Sequence, residues 1–239
     1  MVISSLFLFF LNSCSLLSKN VFSKNGGIKR TDFDLPVITY PSKIQTKKSL
    51  VFLFSGDGGW LDFNDKLAIA FANNGYNTVG FNSRSYFWDK KTPEKTAHDI
   101  ASLINIYLKE YHSRRVVLCG YSFGADVVPF IYNRLSLNLK NRVHSLVLLS
   151  PFASTDFVVH TSDLLNIGSD NREFKVFKEV EEIQIPTYCF YGEDESSKPL
   201  IELKRNNFFV ESLPGDHHYK ESSYQIIINS FKFKRRPKK

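Results

Sequence analysis

The chain has 239 residues, 43% of them hydrophobic and 15% aromatic. That length and apolar content suit one domain with a sizeable core and exclude a disordered polymer. The formal net charge is +7, but Lys232, Lys234, Arg235, Arg236, Lys238 and Lys239 carry six of those charges, leaving +1 for everything else. So neutral a body gives no reason to expect a nucleic-acid partner, and the tail reads as solvated chain or as an attraction for anionic lipid headgroups.

The first segment, residues 2–11, is mostly apolar, the length of a signal-peptide core and too short to span a membrane. Leu11-Asn12-Ser13-Cys14 follows and resembles a lipobox, in which the cysteine is acylated and becomes the first mature residue. The expectation is export to the periplasm and membrane anchoring through Cys14; a simple secretory signal and a cytosolic chain are the alternatives. The organisation expected is a signal segment over residues 1–14, a polar tether over 15–30, a folded domain over 31–231 and a basic tail over 232–239.

Inside the domain, β and α signals alternate. Residues 50–54 read as a buried strand, followed by a helix over 62–74 with Phe63, Leu67, Ala70 and Phe71 on one face and Gly75 at its end. Residues 77–81 form a short strand. Thr92 caps a helix that has Pro93 at its first position and Ala97, Ile100, Ala101, Ile104, Tyr107, Leu108 and Tyr111 along one face. Strands over 116–119, 143–149, 187–191 and 208–213 complete the series. The alternation predicts an α/β fold with a mostly parallel central sheet covered by helices on both faces. Residues 153–182 lack the rhythm and read as an excursion over the site, a small lid. Cys119 and Cys189 fall in strands that the 143–149 strand should separate, so both read as buried small hydrophobes rather than a disulfide. No Cys/His spacing suits a metal, and no cofactor is expected.

The chemistry concentrates at Gly120-Tyr121-Ser122-Phe123-Gly124. This G-x-S-x-G stands between an apolar strand and a segment able to start a helix, the setting of the nucleophile elbow of an α/β-hydrolase. A serine nucleophile needs a base, and the base an orienting acid, in the chain order Ser, acid, His. Residues 187–191 run into Gly192-Glu193-Asp194-Glu195, which supplies Asp194 as the preferred acid and Glu195 as its alternate. Pro214-Gly215-Asp216 then turns the chain into His217-His218, where His217 is the preferred base and His218 the alternate. His98, His112, His144 and His160 read as surface residues. Oxyanion donors are expected from the Phe123 N–H and from the glycine-rich Ser55-Gly56-Asp57-Gly58-Gly59-Trp60, through Asp57 or Gly58. That loop is neither G-x-G-x-x-G nor a Walker A sequence.

Four separated blocks carry a resemblance. These are Ser55 to Trp60; Ser85-Tyr86-Phe87-Trp88 with Lys91-Thr92-Pro93-Glu94; Gly120 to Phe130; and Pro214-Gly215-Asp216-His217-His218-Tyr219. In that order, over residues from about 50 to 224, the chain resembles the VirJ/AcvB family of bacterial virulence proteins. The resemblance implies a periplasmic α/β-hydrolase connected with type IV secretion, and AcvB-like members imply removal of the amino acid from lysyl-phosphatidylglycerol.

The leading expectation is therefore a serine hydrolase acting on an ester at a membrane surface, aminoacylated phosphatidylglycerol above others. Ser122 would attack the carbonyl, His217 would take and return the proton, Asp194 would orient it, and water would clear the acyl-enzyme. A cationic acyl group needs carboxylates, of which Asp126, Asp57 and Glu193 are near the expected site, with Trp60, Trp88 and Tyr121 as apolar or cation–π surface. Asp126 could equally cap the elbow helix. One alternative is a periplasmic binding or chaperone factor for secreted proteins or secretion components; another is an esterase or thioesterase on soluble substrates.

Overall fold

The computed structural model describes residues 21–22, 27–32, 35–44, 49–160 and 172–232. Cys14, the signal segment and all of the basic tail beyond Lys232 lie outside the described residues.

The strands are β1 (Val21–Phe22), β2 (Ile28–Asp32), β3 (Leu35–Tyr40), β4 (Ser49–Phe54), β5 (Asn77–Phe81), β6 (Arg115–Tyr121), β7 (Val143–Leu149), β8 (Ser154–Thr155), β9 (Phe174–Lys175), β10 (Thr187–Gly192) and β11 (Phe208–Leu213). Nine of them form one sheet in the order β1-β2-β3-β5-β4-β6-β7-β10-β11. From β5 to β11 every neighbouring pair is parallel, whereas β1, β2 and β3 join antiparallel. The fold is the α/β-hydrolase architecture expected, with an antiparallel margin.

That margin is a correction. Residues 21–22 and 28–30 were expected to be polar tether but pair into the sheet through β1 and β2. The six residues of β3 also escaped the strand series. Pro36 within a short run argues against a strand, yet it pairs opposite Thr31 while Tyr40 pairs with Thr78 on the other side.

The period of two explains how one sheet serves two cores. Leu50, Phe52, Phe54, Val116 and Leu118 point to one face, while Val51, Leu53, Val117 and Cys119 point to the other, all completely buried. The first face is covered by α3 (Pro93–Glu110), α4 (Phe123–Arg134) and α6 (Val176–Glu181), and the second by α1 (Asp62–Asn73) and α7 (Tyr224–Ser230). Two four-residue helices, α2 (Ser83–Tyr86) and α5 (Leu137–Lys140), complete the set. Cys119 and Cys189 are free, buried and separated by β7, as their strands foretold.

Helix α3 begins where its sequence says. The Thr92 side chain accepts the Lys95 N–H at 3.1 Å, and Pro93 fills the first position, where no N–H is needed. Ala97, Ile100, Ile104, Tyr107 and Leu108 are buried against β4 and β6. Thr92→Ala should lower unfolding free energy by about 1 kcal/mol, read in urea as a lower midpoint with an unchanged slope. The excursion at residues 153–182 is described at both ends: β8 pairs antiparallel with β9, and Phe157 is fully buried. Two backbone bonds, Lys91 N–H to the Phe157 carbonyl and Val159 N–H to that of Phe87, tie its start to the segment before α3.

Candidate active site

The site gathers at the C-terminal ends of β4, β6, β7, β10 and β11. Ser122 follows β6 and precedes α4 with φ 53° and ψ −125°. Few residues other than glycine tolerate positive φ, and backbone strain of this kind is concentrated at functional sites. Its N–H donates to the Leu149 carbonyl at 2.8 Å, and it is 5% exposed. The flanking glycines are required by space. A Cβ on Gly120 would stand 2.3 Å from the Gly124 carbonyl oxygen, and one on Gly124 would stand 2.6 Å from the Phe54 and Ser55 oxygens.

The glycine-rich loop lies directly over this turn. A Cβ on Gly56 would come 3.3 Å from the Ser122 Cβ. Gly59, at φ +89°, closes the loop by donating its N–H to the Gly56 carbonyl at 3.1 Å. The Gly58 N–H donates to the Asp57 carboxylate at 2.8 Å and is therefore committed within the loop. Asp57 remains as the loop's candidate second donor. Phe123 opens α4, so its N–H has no acceptor inside the helix.

His217 stands beside this pair of elements, its ring 5.3 Å from that of Tyr121 and 5.7 Å from that of Phe152. Its Nδ1 is 3.2 Å from Oε2 of Glu195. Glu195 is also held at Oε1, by the Gly192 N–H and the Ser150 hydroxyl, each at 2.5 Å. Burial pushes this carboxyl up, but the bonds from His217, Ser150 and Gly192 outweigh it and hold the group below the usual glutamate range. It is a carboxylate against an imidazole, and its side chain is only 10% exposed.

Of the two candidate acids, it is the alternate, Glu195, that meets the histidine. Asp194 occupies the exposed apex of the turn, and its N–H donates to the Gly215 carbonyl at 3.0 Å. The Glu195 N–H returns to the Gly192 carbonyl at 3.2 Å, folding the chain back so that the residue after the apex faces the strand ends. His218 is 74% exposed at its side chain, and its ring nitrogen lies 3.7 Å from Asp216.

The expected substrate-binding residues fare differently. Trp60 is committed to the fold: its ring lies where a Gly80 Cβ would be, and Nε1 donates to Asp65 at 2.7 Å and to Tyr40 at 2.9 Å. Tyr121 is 7% exposed, packs on Phe63, and donates its phenol to the His217 carbonyl at 3.1 Å, fixing the histidine turn. Asp126 is buried, accepts the Phe152 N–H at 2.7 Å, and is pushed well above the ordinary aspartate range, chiefly by burial, with Asp57 adding to the rise. Its carboxyl is engaged by the Phe152 backbone and so holds the loop after β7. Trp88 stands exposed with Arg84 over its ring, while its neighbour Phe87 packs on Phe123. Ser150, Phe152 and Tyr219 were not foreseen in these places; the signals for them were that Ser150-Pro151-Phe152 follows a strand that ends beside the elbow and that Tyr219 closes the fourth block of the resemblance.

The model of the bacterial virulence protein family VirJ matches residues 48–233. The chain belongs to the VirJ family. The match covers the whole parallel part of the sheet and every residue of the site just described. Among solved structures, this VirJ-family chain is similar to Est1E from Butyrivibrio proteoclasticus, at 15% identity and TM-score 0.59 over 87% of this chain and 96% of that one. It is similar also to a lipase-esterase related protein from Clostridium acetobutylicum, at 16% identity and TM-score 0.61 over 82% and 99%. A third is a thioesterase domain from the curacin biosynthetic pathway, at 12% identity and TM-score 0.55 over 88% and 99%. These likenesses are of fold. No curated protein sequence matches the chain.

Proposed function

We propose that this VirJ-family protein is a serine ester hydrolase in which Ser122 is the nucleophile, His217 the base and Glu195 the orienting acid. The observation that carries it is the Glu195–His217 pair at 3.2 Å, its imidazole 5.3 Å from the ring of Tyr121, the residue that precedes a serine held at φ 53°. His217 takes the Ser122 proton as the hydroxyl attacks the ester carbonyl, and Glu195 stabilises the imidazolium that forms. The N–H groups of Phe123 and Asp57 receive the developing oxyanion. His217 returns the proton to the departing alcohol, and water repeats the sequence on the acyl-enzyme.

The substrate is an aminoacyl ester of a membrane lipid, lysyl-phosphatidylglycerol first among them, in a protein exported to the periplasm and anchored at Cys14. Family membership supports this, as does a rim that suits a lipid surface: Leu61 is 55% exposed after the oxyanion loop and Phe152 40% exposed against His217. With Asp126 taken up by the fold, Asp57 and Glu193 are the carboxylates left for a cationic acyl group.

Incubating the purified protein with lysyl-phosphatidylglycerol vesicles and measuring free lysine tests the whole reading. Wild type should release lysine, and Ser122→Ala should lower the rate by at least about 10⁴-fold. A Ser122 that is labelled by a fluorophosphonate while no lysine appears would point to a different ester.

A further inference from the structure

Ser150 leaves β7 with φ 51°, the left-handed region that a residue with a side chain enters at a cost. In that conformation its hydroxyl meets two groups, Oε1 of Glu195 at 2.5 Å and the Tyr219 hydroxyl at 2.5 Å. The Tyr219 hydroxyl also lies 2.9 Å from the Phe190 carbonyl oxygen. Three contacts must therefore be served by two hydroxyl protons.

Chemistry fixes the direction. A carboxylate and a carbonyl only accept, so Ser150 has to donate to Glu195. Its own proton is then spent, and the contact with Tyr219 is favourable only if the phenol donates, sharing its proton between Ser150 and Phe190. Burial pushes the Tyr219 phenol up, so it keeps that proton across the working range. The order is Tyr219 to Ser150 to Glu195, which accepts from His217 at its other oxygen.

We propose that Ser150 and Tyr219 are positioning residues for the base, a two-hydroxyl relay in which Tyr219 acts on Glu195, and so on His217, only through Ser150. The proposal rests on the reading of Glu195 and His217 as the acid and base of a hydrolase. Other ionisable groups face the pair: Tyr121 and His218 flank the imidazole, at 5.3 and 5.9 Å between ring centres. Tyr121 and Cys189 feel the Glu195 charge, and Asp57 and Asp216 act on Tyr121. Substitutions at Ser150 and Tyr219 leave all of these in place.

The sign follows from charge. A carboxylate that loses a donor concentrates its charge on the imidazolium, so His217 should titrate at higher pH. The test uses the full-length protein as wild type, Ser150→Ala, Ser150→Thr, Tyr219→Phe and the Ser150→Ala/Tyr219→Phe double variant. Two readouts are taken: the His217 imidazole titration by NMR, and the pH profile of kcat/KM on a p-nitrophenyl ester. Ser150→Ala should raise the His217 midpoint by about half a pH unit and move the acid limb of the profile by the same amount, with kcat falling about ten-fold. Tyr219→Phe should give a smaller shift of the same sign, Ser150→Thr should restore the wild-type midpoint, and the double variant should match Ser150→Ala. Additive shifts in the double variant, or an unmoved His217 in folded Tyr219→Phe, overturn the relay. If Ser150→Ala does not fold, Tyr219→Phe still decides, since a β-branched Thr is strained at this positive φ more than Ala. A shifted His217 in a protein that cleaves no ester supports the relay and sinks the hydrolase reading instead.

Discussion

Glu195→Gln should lower kcat/KM by about 10³- to 10⁴-fold, while Asp194→Asn should change it by less than about two-fold. The two acids are adjacent in sequence and opposite in environment. Glu195 receives His217 Nδ1 at 3.2 Å and two further donors at 2.5 Å on its other oxygen. An amide in its place can accept from only one oxygen. Either it presents its NH₂ to Nδ1, which forces the imidazole into the wrong tautomer, or it turns that NH₂ onto Ser150 and Gly192, which are already donating. The base is lost in the first case, and a buried donor clash arises in the second. Asp194 is exposed, and its ordering contact is made by its backbone, which Asn preserves. Steady-state kinetics on a short ester, with thermal unfolding to confirm that both variants fold, separates the two. Equal losses would dismiss Glu195 as the acid.

The same pair shows where the sequence stops being legible. The elbow was readable because three constraints coincide within nine residues: an apolar strand, a serine and two small neighbours. The histidine turn was readable because Pro214-Gly215 can only be a turn and the strand before it is short. Asp194 against Glu195 was not, because the choice depends on a one-residue difference in how a turn closes. That closure is set by the Glu195 N–H reaching back to Gly192 and by the Asp194 N–H reaching across to Gly215, the second of these a contact with a distant segment of the chain. Trp60 and Asp126 failed for a related reason. Trp60 ends the glycine-rich loop and Asp126 lies in the elbow helix, but the Trp60 indole is drawn away by Asp65 and Tyr40, and Asp126 by the Phe152 backbone. Proximity along the chain says which residues can reach a site; competing partners from other elements decide whether they do. The strand β3 was missed on local grounds, since a proline reads as a strand breaker although Pro36 here pairs opposite Thr31 of β2.

Gly192→Ala should cost activity far out of proportion to one methyl group. A Cβ there would stand 2.2 Å from the Asp216 carbonyl oxygen, 2.5 Å from its carbon and 2.6 Å from the Gly215 oxygen. All three are backbone atoms, so no side-chain rotation relieves the overlap, and the histidine turn has to move away from the end of β10. Gly192 also donates its N–H to Glu195, so the displacement pulls on acid and base together. Overpacking of this kind costs about 1–3 kcal/mol, which a domain of this size survives, whereas a shift of about 1 Å between catalytic groups costs about 10²-fold in rate. The expectation is a folded protein with kcat reduced at least about 100-fold and a His217 imidazole signal moved from its wild-type position. Gly58→Ala is the matched control. Its Cβ would meet only the tip of Leu61 at 3.2 Å, a flexible side chain that can rotate aside, and its N–H already points to Asp57. That variant should keep kcat within about three-fold. Should Gly192→Ala prove as active as Gly58→Ala, the close approach of the histidine turn to β10 is not what holds His217 against Glu195.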